Sequence, residues 1–577
     1  MIPVENETRP FVRSKEFLLV LLLTLASLLV RVHQIGFYSL SEDETAKWEA
    51  IQQYRHGHFA GVNAEHPMLM KLMAWASLDA GDQWNRRAFA HGWPVISPEA
   101  ALRLPNAILG AATTFVLFLL ARAFFGAVGA FAAASFWAFT PLPIALNRLL
   151  KEETPFVFFS LLACYFYLRA KKSQTEPGTR SWLDFSAITF GLAFASKYAL
   201  QFFGLNALAW YIAGRTGLDS KPFGHRLARF FLILGLTFVL ANPVILVPSN
   251  LHSMAAWMRE GGIQHSGYNL HGTLYLNQPS FSRPTMPWYF YLWLLVVKTP
   301  LVSLAAILAG SLLLLRSRNS LTAAFFVSLA LIQLTGLSVF PAKWIRYVLG
   351  ALPFLFIAGG QAVQCLYDWL TTHGIAPRRL SFAAMLLVGW MLWDARAWGP
   401  FYSLYLNPLG GGSKKVAQLF SPDEISELDS RETAAVVCQS APPGGRLATS
   451  KPSSMNYYLE RCGRKDIQVI PLYDRRYRLQ EGDLVLWENS RRYFETAEFL
   501  ESLRSSRMPH HDIRVGPVVA TSIYSFPAIP SDVRRASSNI SLSANNTVAP
   551  EYLSRQALRS LGTNAQSVTW DKETHQQ

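Results

Sequence analysis

Three consecutive carboxylates follow the first long apolar run of the chain, and a second polar group lies further along the same segment. These residues are Glu42, Asp43, Glu44, Glu65, His66 and Lys71. Acids at a bilayer surface that face a histidine and a lysine can accept a proton from an alcohol, hold a divalent metal or bind a phosphate. The structural alternative is that Asp43 and Glu44 only begin a surface helix, because acids favour a first helical turn.

Further polar residues stand at the ends of later apolar runs. They are Lys151, Glu152 and Glu153, Lys197, His265 and Tyr268 in the loop 249–287, and Lys343 with Arg346. Thr154 and Pro155 are also typical of a helix start, so the group at 151–153 has a purely structural interpretation too. Lys298 differs, because it lies well inside an apolar run just before Pro300. An ionisable residue there is costly and usually faces a partner or a cavity.

The elements that must position these residues are membrane helices. The chain has 577 residues, of which 51% are hydrophobic and 13% aromatic. A run of about 20 apolar residues spans a bilayer. Such runs predict about eleven spans, and so a mainly α polytopic membrane protein. The runs begin near residues 17, 102, 128, 154, 182, 199, 229, 288, 320, 345 and 381.

The net charge of +15 does not indicate a nucleic-acid partner, because many basic residues lie in short loops between apolar runs and no nucleic-acid motif is present. Basic loops favour the cytoplasmic side. Residues 1–16 are therefore predicted to be cytoplasmic, followed by a retained first helix. An odd number of spans then puts the C-terminus outside the cell inner (plasma) membrane. The outer side receives the loops 37–101 and 249–287, the turns near Lys151 and Lys343, and everything after about residue 398.

Two polar regions are predicted to carry structure of their own outside the membrane domain 17–400. The loop 37–101 is too long for a simple connection and contains two predicted helices, 43–54 and 68–78. After Gly410-Gly411-Gly412, which mark a linker, alternating helices and strands predict a small α/β domain over 401–530. Its predicted helices are 423–438 and 491–505, and its predicted strands are 446–448, 467–470, 484–487 and about 513–526. Residues 531–577 are predicted to be disordered. Cys438 and Cys462 could pair, although sequence cannot show their geometry.

Taken in order, these motifs resemble those of the C-type (GT-C) glycosyltransferases that use lipid-carried sugars, in particular the superfamily of protein O-mannosyltransferases and aminoarabinose transferases. The matching pieces are Ser-Glu-Asp43-Glu44, His66-Pro67 with Lys71, Lys151-Glu-Glu153-Thr-Pro, His265-Ser-Gly-Tyr268, Lys298-Thr-Pro and Arg346-Tyr347. The segment from Asn407 to Glu424 resembles a bacterial branch. Two positions depart from the pattern: Glu153 stands where the family usually has Asp, and Ala46 stands where the aminoarabinose transferases have a basic residue.

The resemblance implies transfer of a sugar from a polyprenyl-phosphate carrier to an acceptor hydroxyl on the outer side, with inversion. It assigns Asp43 as general base, with Glu44 and Glu153 as further catalytic residues. It implies that the donor phosphate is bound by His66, Lys71, Lys298 and Arg346. It also implies that the substrate is contacted by His265, Tyr268 and Lys197. A divalent cation (Mg or Mn), where one is used, would bind Asp43 and Glu153. No nucleotide-binding loop is present, which agrees with a lipid-carried donor.

Two other classes of function are open from the residues alone. A membrane transporter of a small solute or a lipid-linked substrate would account for the many spans and for Lys298, but not for the large outer loop and the C-terminal domain. A membrane-anchored scaffold would leave the acids at 42–44 without a role. The sugar and the acceptor, whether protein Ser/Thr, lipid or surface glycan, are not defined by the sequence.

Overall fold

The computed structural model describes most of the chain. The described residues are 15–61, 63–173, 175–198, 223–259, 265–278, 285–316, 321–412, 415–420, 427–474, 476–526 and 538–542. The apolar run predicted to begin near residue 199 lies outside them, as do most of the 531–577 segment and the first part of the helix predicted at 423–438.

Helices make up most of the fold up to residue 397. They are α1 (Lys15–Val32), α2 (Glu42–Arg55), α3 (Met68–His91), α4 (Pro98–Arg122), α5 (Ala127–Phe139), α6 (Pro141–Asn147), α7 (Glu153–Lys172), α8 (Glu176–Ser196), α9 (Phe223–Ala241), α10 (Pro248–Arg259), α11 (Phe290–Lys298), α12 (Leu301–Arg316), α13 (Leu321–Val339), α14 (Leu352–Thr372) and α15 (Pro377–Ala397). Helices occupy nearly every predicted apolar run, because each run is long enough to satisfy its own backbone hydrogen bonds as a helix.

The number of membrane spans stays a prediction. In the part of the chain that the structure describes, two helices, α4 and α15, are long and apolar enough to cross a membrane by length and hydropathy. A third span results if α5 and α6, which meet at a 58° bend, are counted as one. The run predicted near 288 is divided at Thr299-Pro300 into α11 and α12, since Pro300 has no backbone N–H to continue the helix.

Both predicted helices of the first outer loop are present. In α2, the Glu44 carboxylate accepts a hydrogen bond of 3.0 Å from the backbone N–H of Ser41, as in a capping box. The second helix, α3, runs to His91 and is longer than the predicted 68–78. It ends at Gly92, whose positive φ of 68° gives a left-handed cap that glycine adopts without strain.

The C-terminal region contains a six-stranded sheet in the order β4-β3-β5-β7-β6-β8. Its elements, after the hairpin β1 (His265–Leu270) and β2 (Thr273–Asn277), are α16 (Val416–Leu419), α17 (Ser430–Ser440), β3 (Arg446–Thr449), α18 (Pro452–Arg461), β4 (Gln468–Pro471), β5 (Asp483–Glu488), α19 (Phe494–Ser506), β6 (His511–Val515), β7 (Val518–Phe526) and β8 (Ser538–Leu542). The sequence missed α18, and it assigned β8 to the disordered tail. A disulfide joins Cys438 to Cys462 and so ties α17 to α18.

The sheet domain and the first outer loop share one hydrophobic core. Leu40, Ile51 and Met70 belong to the same buried cluster as Met455 and Tyr458 of α18. The Tyr458 hydroxyl bridges the two regions, because it accepts from the backbone N–H of Leu40 at 2.6 Å and donates to the carboxylate of Glu99 at 3.1 Å. The sheet is therefore packed against the loop that carries Asp43.

Candidate active site

Asp43 lies in the first turn of α2 and pairs with the ammonium group of Lys151, which precedes α7. The carboxylate side chain is 38% exposed, whereas Lys151 is buried. Burial opposes ionisation of this carboxyl, but the positive charges of Lys151 and Lys47 outweigh that effect and hold the pKa of Asp43 well below its usual value. Asp43 is therefore an ionised, solvent-accessible carboxylate at neutral pH.

Glu44 points the other way, into the protein. Its side chain is fully buried, and its two oxygens accept from the Arg103 guanidinium at 2.8 and 2.6 Å. The same carboxylate also accepts from the backbone N–H of Leu150 at 2.9 Å. Every contact of Glu44 is thus internal, so the geometry favours a positioning role. Its bond to Leu150 fixes the segment that carries Lys151 beside Asp43.

A second charged group surrounds Glu152. Its carboxylate lies 2.9 Å from the ammonium group of Lys47, one turn along α2 from Asp43, and 3.2 Å from Nδ1 of His66. Burial lowers the pKa of His66 below its ordinary value, and the negative charge of Glu152 only partly offsets this. For Glu152, the charges of His66 and Lys47 outweigh burial and lower the pKa.

Glu153 is the centre of a third group, at the first residue of α7. Its Oε1 lies 2.6 Å from the Lys197 ammonium and 3.5 Å from Nε of Arg346. The Lys197 ammonium also lies over the Tyr347 ring, 4.6 Å from its centroid. Arg346 belongs to the short 3-10 helix Ile345–Gly350 and contributes positive potential at Asp43. Four helix ends, those of α2, α7, α8 and the 3-10 helix, therefore bring Asp43, Glu153, Lys197 and Arg346 to one place.

Lys71 and Lys298, both predicted to bind a phosphate, donate hydrogen bonds to backbone carbonyl oxygens in this structure. The Lys71 ammonium donates to the carbonyl oxygens of Asn63 at 2.7 Å and of His66 at 3.0 Å. These two hydrogen bonds stabilise the turn that contains His66. Burial lowers the pKa of Lys71 to about 7. The Lys298 ammonium donates to the carbonyl oxygens of Ser403 at 2.7 Å and Tyr405 at 3.3 Å, at the break between α11 and α12.

The two predicted substrate contacts in the loop 249–287 both lie in strand β1. Tyr268 is buried, and its ring packs edge-to-face against the rings of Phe290 and Trp344. Through Trp344 it neighbours the 3-10 helix that carries Arg346. His265 begins the strand and pairs across the hairpin with Asn277.

The described acids do not form a metal site. Asp43 is paired with Lys151, and Glu153 is paired with Lys197 and Arg346. A divalent cation needs several oxygen donors that are not already neutralised by cations. Over the described ranges, no group of three or more His, Cys, Asp or Glu side chains has ligand spacing. The residues predicted to hold Mg or Mn, Asp43 and Glu153, therefore do not fit that ion.

Several residues of this site were not selected from the sequence. Lys47, Lys151 and Glu152 all take part in the ion pairs, and Arg103 fixes Glu44. Helical spacing offered one signal, because Lys47 follows Asp43 by four residues and so shares its face of α2. The partner of Glu44 could not be found this way, because Arg103 lies in another helix.

The sheet domain adds its own side chains next to Asp43. The Glu42 carboxylate accepts from the backbone N–H and the hydroxyl of Ser454 at 2.6 and 2.9 Å. The backbone N–H of Glu42 donates to Glu427 at 2.7 Å, and Glu427 also pairs with Arg491. Ser454 and Arg491 follow β3 and β5, so this end of the sheet forms one wall of the site.

Comparison with known proteins gives the fold of this arrangement. ArnT from Cupriavidus metallidurans, solved bound to undecaprenyl phosphate, matches 84% of this chain and 95% of its own chain, with a TM-score of 0.52 and 13% identity. The same protein in its apo state matches with a TM-score of 0.51. Residues 95–245 match the family model of dolichyl-phosphate-mannose-protein mannosyltransferases. The chain therefore shares the fold of ArnT.

Curated relatives match parts of the chain. A stretch of 197 residues is 29% identical to the putative mannosyltransferase YycA of Bacillus subtilis (strain 168), over 33% of this chain and 27% of that protein. Another, of 259 residues, is 30% identical to dolichyl-phosphate-mannose--protein mannosyltransferase 5 of Saccharomyces cerevisiae, over 42% of this chain and 34% of that protein. The matches thus span about a third or less of the length of these two relatives.

Proposed function

We propose that this protein is an inverting glycosyltransferase. It takes a sugar from a polyprenyl-phosphate carrier and transfers it to an acceptor hydroxyl on the outer side of the membrane. The observation that carries the proposal is the ionised, partly exposed carboxylate of Asp43 among the cations Lys151, Lys47 and Arg346. A base beside a cationic pocket is what a displacement with an alcohol nucleophile and a phosphate leaving group needs.

Asp43 is the general base in this mechanism. Its carboxylate accepts the proton of the acceptor hydroxyl as the oxygen attacks the anomeric carbon, and the bond from that carbon to the carrier phosphate breaks on the opposite face. Lys151 holds the carboxylate in place and keeps it ionised. Glu44 acts through its bonds to Arg103 and Leu150, which position Lys151 beside the base.

The leaving phosphate carries negative charge and is stabilised by nearby cations. Arg346 and Lys197 are the first candidates for contact with the phosphate, because both form ion pairs with Glu153 close to Asp43. His66 is the next, since its Nδ1 lies 3.2 Å from Glu152 in the neighbouring charged group. Lys71 and Lys298 stay predictions for phosphate binding. Each also donates hydrogen bonds to nearby backbone carbonyl oxygens. His265 and Tyr268 stay predictions for substrate contact.

We also propose that the sheet domain lies outside the cytoplasm. The basic loops favour this orientation, and the disulfide between Cys438 and Cys462 suits an oxidising compartment. The transporter alternative has no support of comparable kind. Mannose is the first sugar to test, because the family model and the curated relatives carry mannosyltransferase descriptions.

The experiment is a transfer assay with the purified full chain in lipid nanodiscs. Undecaprenyl phosphate carrying radiolabelled mannose is supplied with a membrane-envelope extract as the source of acceptors. We expect label to move from the lipid to an acceptor fraction in the parent protein and not in Asp43→Asn. No transfer in nanodiscs, together with movement of intact labelled lipid across the bilayer of sealed vesicles that contain the protein, would instead support transport.

A further inference from the structure

Glu42, the residue before the candidate base, reaches across to the sheet domain. One of its carboxylate oxygens accepts from the backbone N–H of Ser454 at 2.6 Å and from the Ser454 hydroxyl at 2.9 Å. Ser454 lies in the first turn of α18. Backbone N–H groups in the first turn of a helix have no partner within that helix. The side chain of Glu42 therefore caps α18 from α2.

The contact is reciprocal, because the sheet domain also caps α2. The backbone N–H of Glu42, the first residue of α2, donates to the carboxylate of Glu427 at 2.7 Å. Glu427 is buried and forms an ion pair with Arg491, in the segment after β5. A carboxylate at a helix N-terminus satisfies an N–H group and interacts favourably with the helix dipole. The first turns of α2 and α18 are thus each held by an acid from the other region.

Asp43 lies between two acids that are fixed to different parts of the protein. Glu42 is bound to the sheet domain through Ser454. Glu44 is bound to Arg103 of α4 and to the backbone of Leu150. Neither neighbour of Asp43 can turn without breaking hydrogen bonds on its own side. The direction of the Asp43 side chain is therefore set jointly by the sheet domain and by α4.

Further contacts hold the segment before α2 to the sheet domain without using Glu42. The Ser39 hydroxyl donates to the carbonyl oxygen of Leu428 at 2.9 Å, and the backbone N–H of Leu40 donates to the Tyr458 hydroxyl at 2.6 Å. Leu40 and Tyr458 also belong to one buried hydrophobic cluster. Loss of the Glu42 carboxylate should therefore leave the two regions packed together and the protein folded. Its effect should be confined to the first turn of α2.

We propose that Glu42 is a positioning residue for Asp43, and that the sheet domain orients the reacting carboxylate through the contact between Glu42 and Ser454. This inference rests on the proposed sugar transfer. A general base acts only within hydrogen-bond reach of the proton that it accepts, and a misplacement of about 1 Å costs about 10²-fold in rate. The role needs an acceptor oxygen at residue 42, and it does not need a group that takes up a proton.

The test compares Glu42→Ala with Glu42→Gln in the transfer assay, with rates given per folded molecule. Glu42→Ala removes the oxygen that holds Ser454, so kcat should fall about tenfold to a hundredfold. The KM for the lipid-linked donor should change little, because Arg346 and Lys197 stay in place. Glu42→Gln keeps an acceptor oxygen and should transfer at close to the parent rate.

Two results of that comparison would overturn the proposal. An equal loss of kcat in Glu42→Ala and Glu42→Gln would mean that Glu42 acts through its charge or takes up a proton. A Glu42→Ala protein with the parent's kcat would mean that the contact does not position Asp43.

The partner side of the contact gives a second variant and its control. Ser454→Ala removes the hydroxyl that donates to Glu42 but keeps the backbone N–H, so kcat should fall by less than in Glu42→Ala. The matched control is Ser453→Ala, the same change at the exposed preceding position of α18, which should behave like the parent. Equal kcat values for Ser454→Ala and Ser453→Ala would overturn the assignment. If Glu42→Ala does not fold, this pair of variants supplies the answer.

Hydrogen exchange measures the same contact without any sugar transfer. Backbone exchange in the peptide 40–47 is followed by mass spectrometry in the folded parent and variants. Glu42→Ala and Ser454→Ala should exchange faster there than the parent, and Ser453→Ala should not. Unchanged exchange in Glu42→Ala would overturn the positioning role whether or not the parent transfers sugar. Faster exchange in a protein whose parent transfers no sugar would confirm the contact but overturn the proposed function, and the positioning role with it.

Discussion

The Glu44 carboxylate and the Arg103 guanidinium form a bidentate ion pair, with N–O distances of 2.8 and 2.6 Å, and neither side chain is exposed to solvent. Asp43, the preceding residue in the same helix, keeps 38% of its side chain exposed. Two adjacent acids therefore have opposite surroundings. The exposed one is available to a substrate, while the buried one joins α2 to α4 and to the segment before α7.

Removing the charge of Glu44 should therefore affect folding first. Glu44→Gln leaves Arg103 as a buried cation with a weaker partner, and breaking a buried pair costs on the order of 3–5 kcal/mol. We expect a marked fall in unfolding temperature, with activity lost in proportion to the folded fraction. The matched control is Glu49→Gln, on an exposed position of the same helix, which should change neither. A Glu44→Gln protein as stable as the parent but inactive would assign Glu44 a direct role in the reaction.

Arg346 gives a test of phosphate recognition. Arg346→Met removes a cation that lies 3.5 Å from Glu153 and acts on Asp43. Hydrogen bonds to charged groups contribute about 1.5–3 kcal/mol, so donor affinity should fall about tenfold or more. The measurement is a titration with undecaprenyl phosphate. Arg396→Met, at an exposed charge in the last turn of α15, is the control and should bind like the parent. Unchanged affinity of Arg346→Met would remove Arg346 from the phosphate site.

The lowered pKa of the buried Lys71 should make the stability of the protein depend on pH. Burial lowers its pKa to about 7 in the folded protein, whereas an unfolded lysine titrates near 10.4. Between these values the unfolded chain binds more protons, so this residue adds stability as pH rises from about 7 to 10. Compared with Lys71→Met, the parent should therefore gain stability over that window and not below it.

The measurement for Lys71 is the difference in unfolding temperature between parent and variant across this pH range. Lys465→Met, at a side chain that is 72% exposed, is the surface control for the loss of a lysine charge. A constant difference for Lys71→Met would mean that Lys71 keeps an ordinary pKa in the fold.

The proposed orientation predicts where reporter fusions are found. Fusions at Lys172, Arg226 and Arg379 should be cytoplasmic, and fusions at Ala60 and Gly411 extracytoplasmic, because the first set lies in basic inner loops. A thiol-modification assay supplies a second measurement. Cys438 and Cys462 should resist labelling until a reductant is added. A cytoplasmic reporter at Gly411 would contradict both the orientation and the placement of the reaction on the outer side.

The sequence predicts the helices well, because an apolar run long enough for a membrane span has few alternatives to a helix. It also selects Asp43, Glu153 and Arg346, which the structure brings together. It does not reveal which acid is buried, because that depends on Arg103, a long-range partner with no local signal. The missed helix α18 is only ten residues long, and its stability comes from Met455, Tyr458 and Leu459, which pack in the core shared with the first outer loop.

The decisive prediction concerns Asp43. Asp43→Asn keeps the shape of the side chain but cannot accept the acceptor proton. A positioned general base contributes roughly 10²–10⁴ in rate, so transfer should fall by at least that order. Donor affinity should stay nearly intact, because the cations that bind the phosphate remain. The unfolding temperature should fall, because the substitution removes the charge partner of the buried Lys151, so the rate is measured per folded molecule. Those three measurements separate catalysis from structure: a helix-capping role would lower stability first and leave the rate per folded molecule close to that of the parent. Transfer by Asp43→Asn at nearly the parent rate would place the base elsewhere, and Glu153 would be the next carboxylate to substitute.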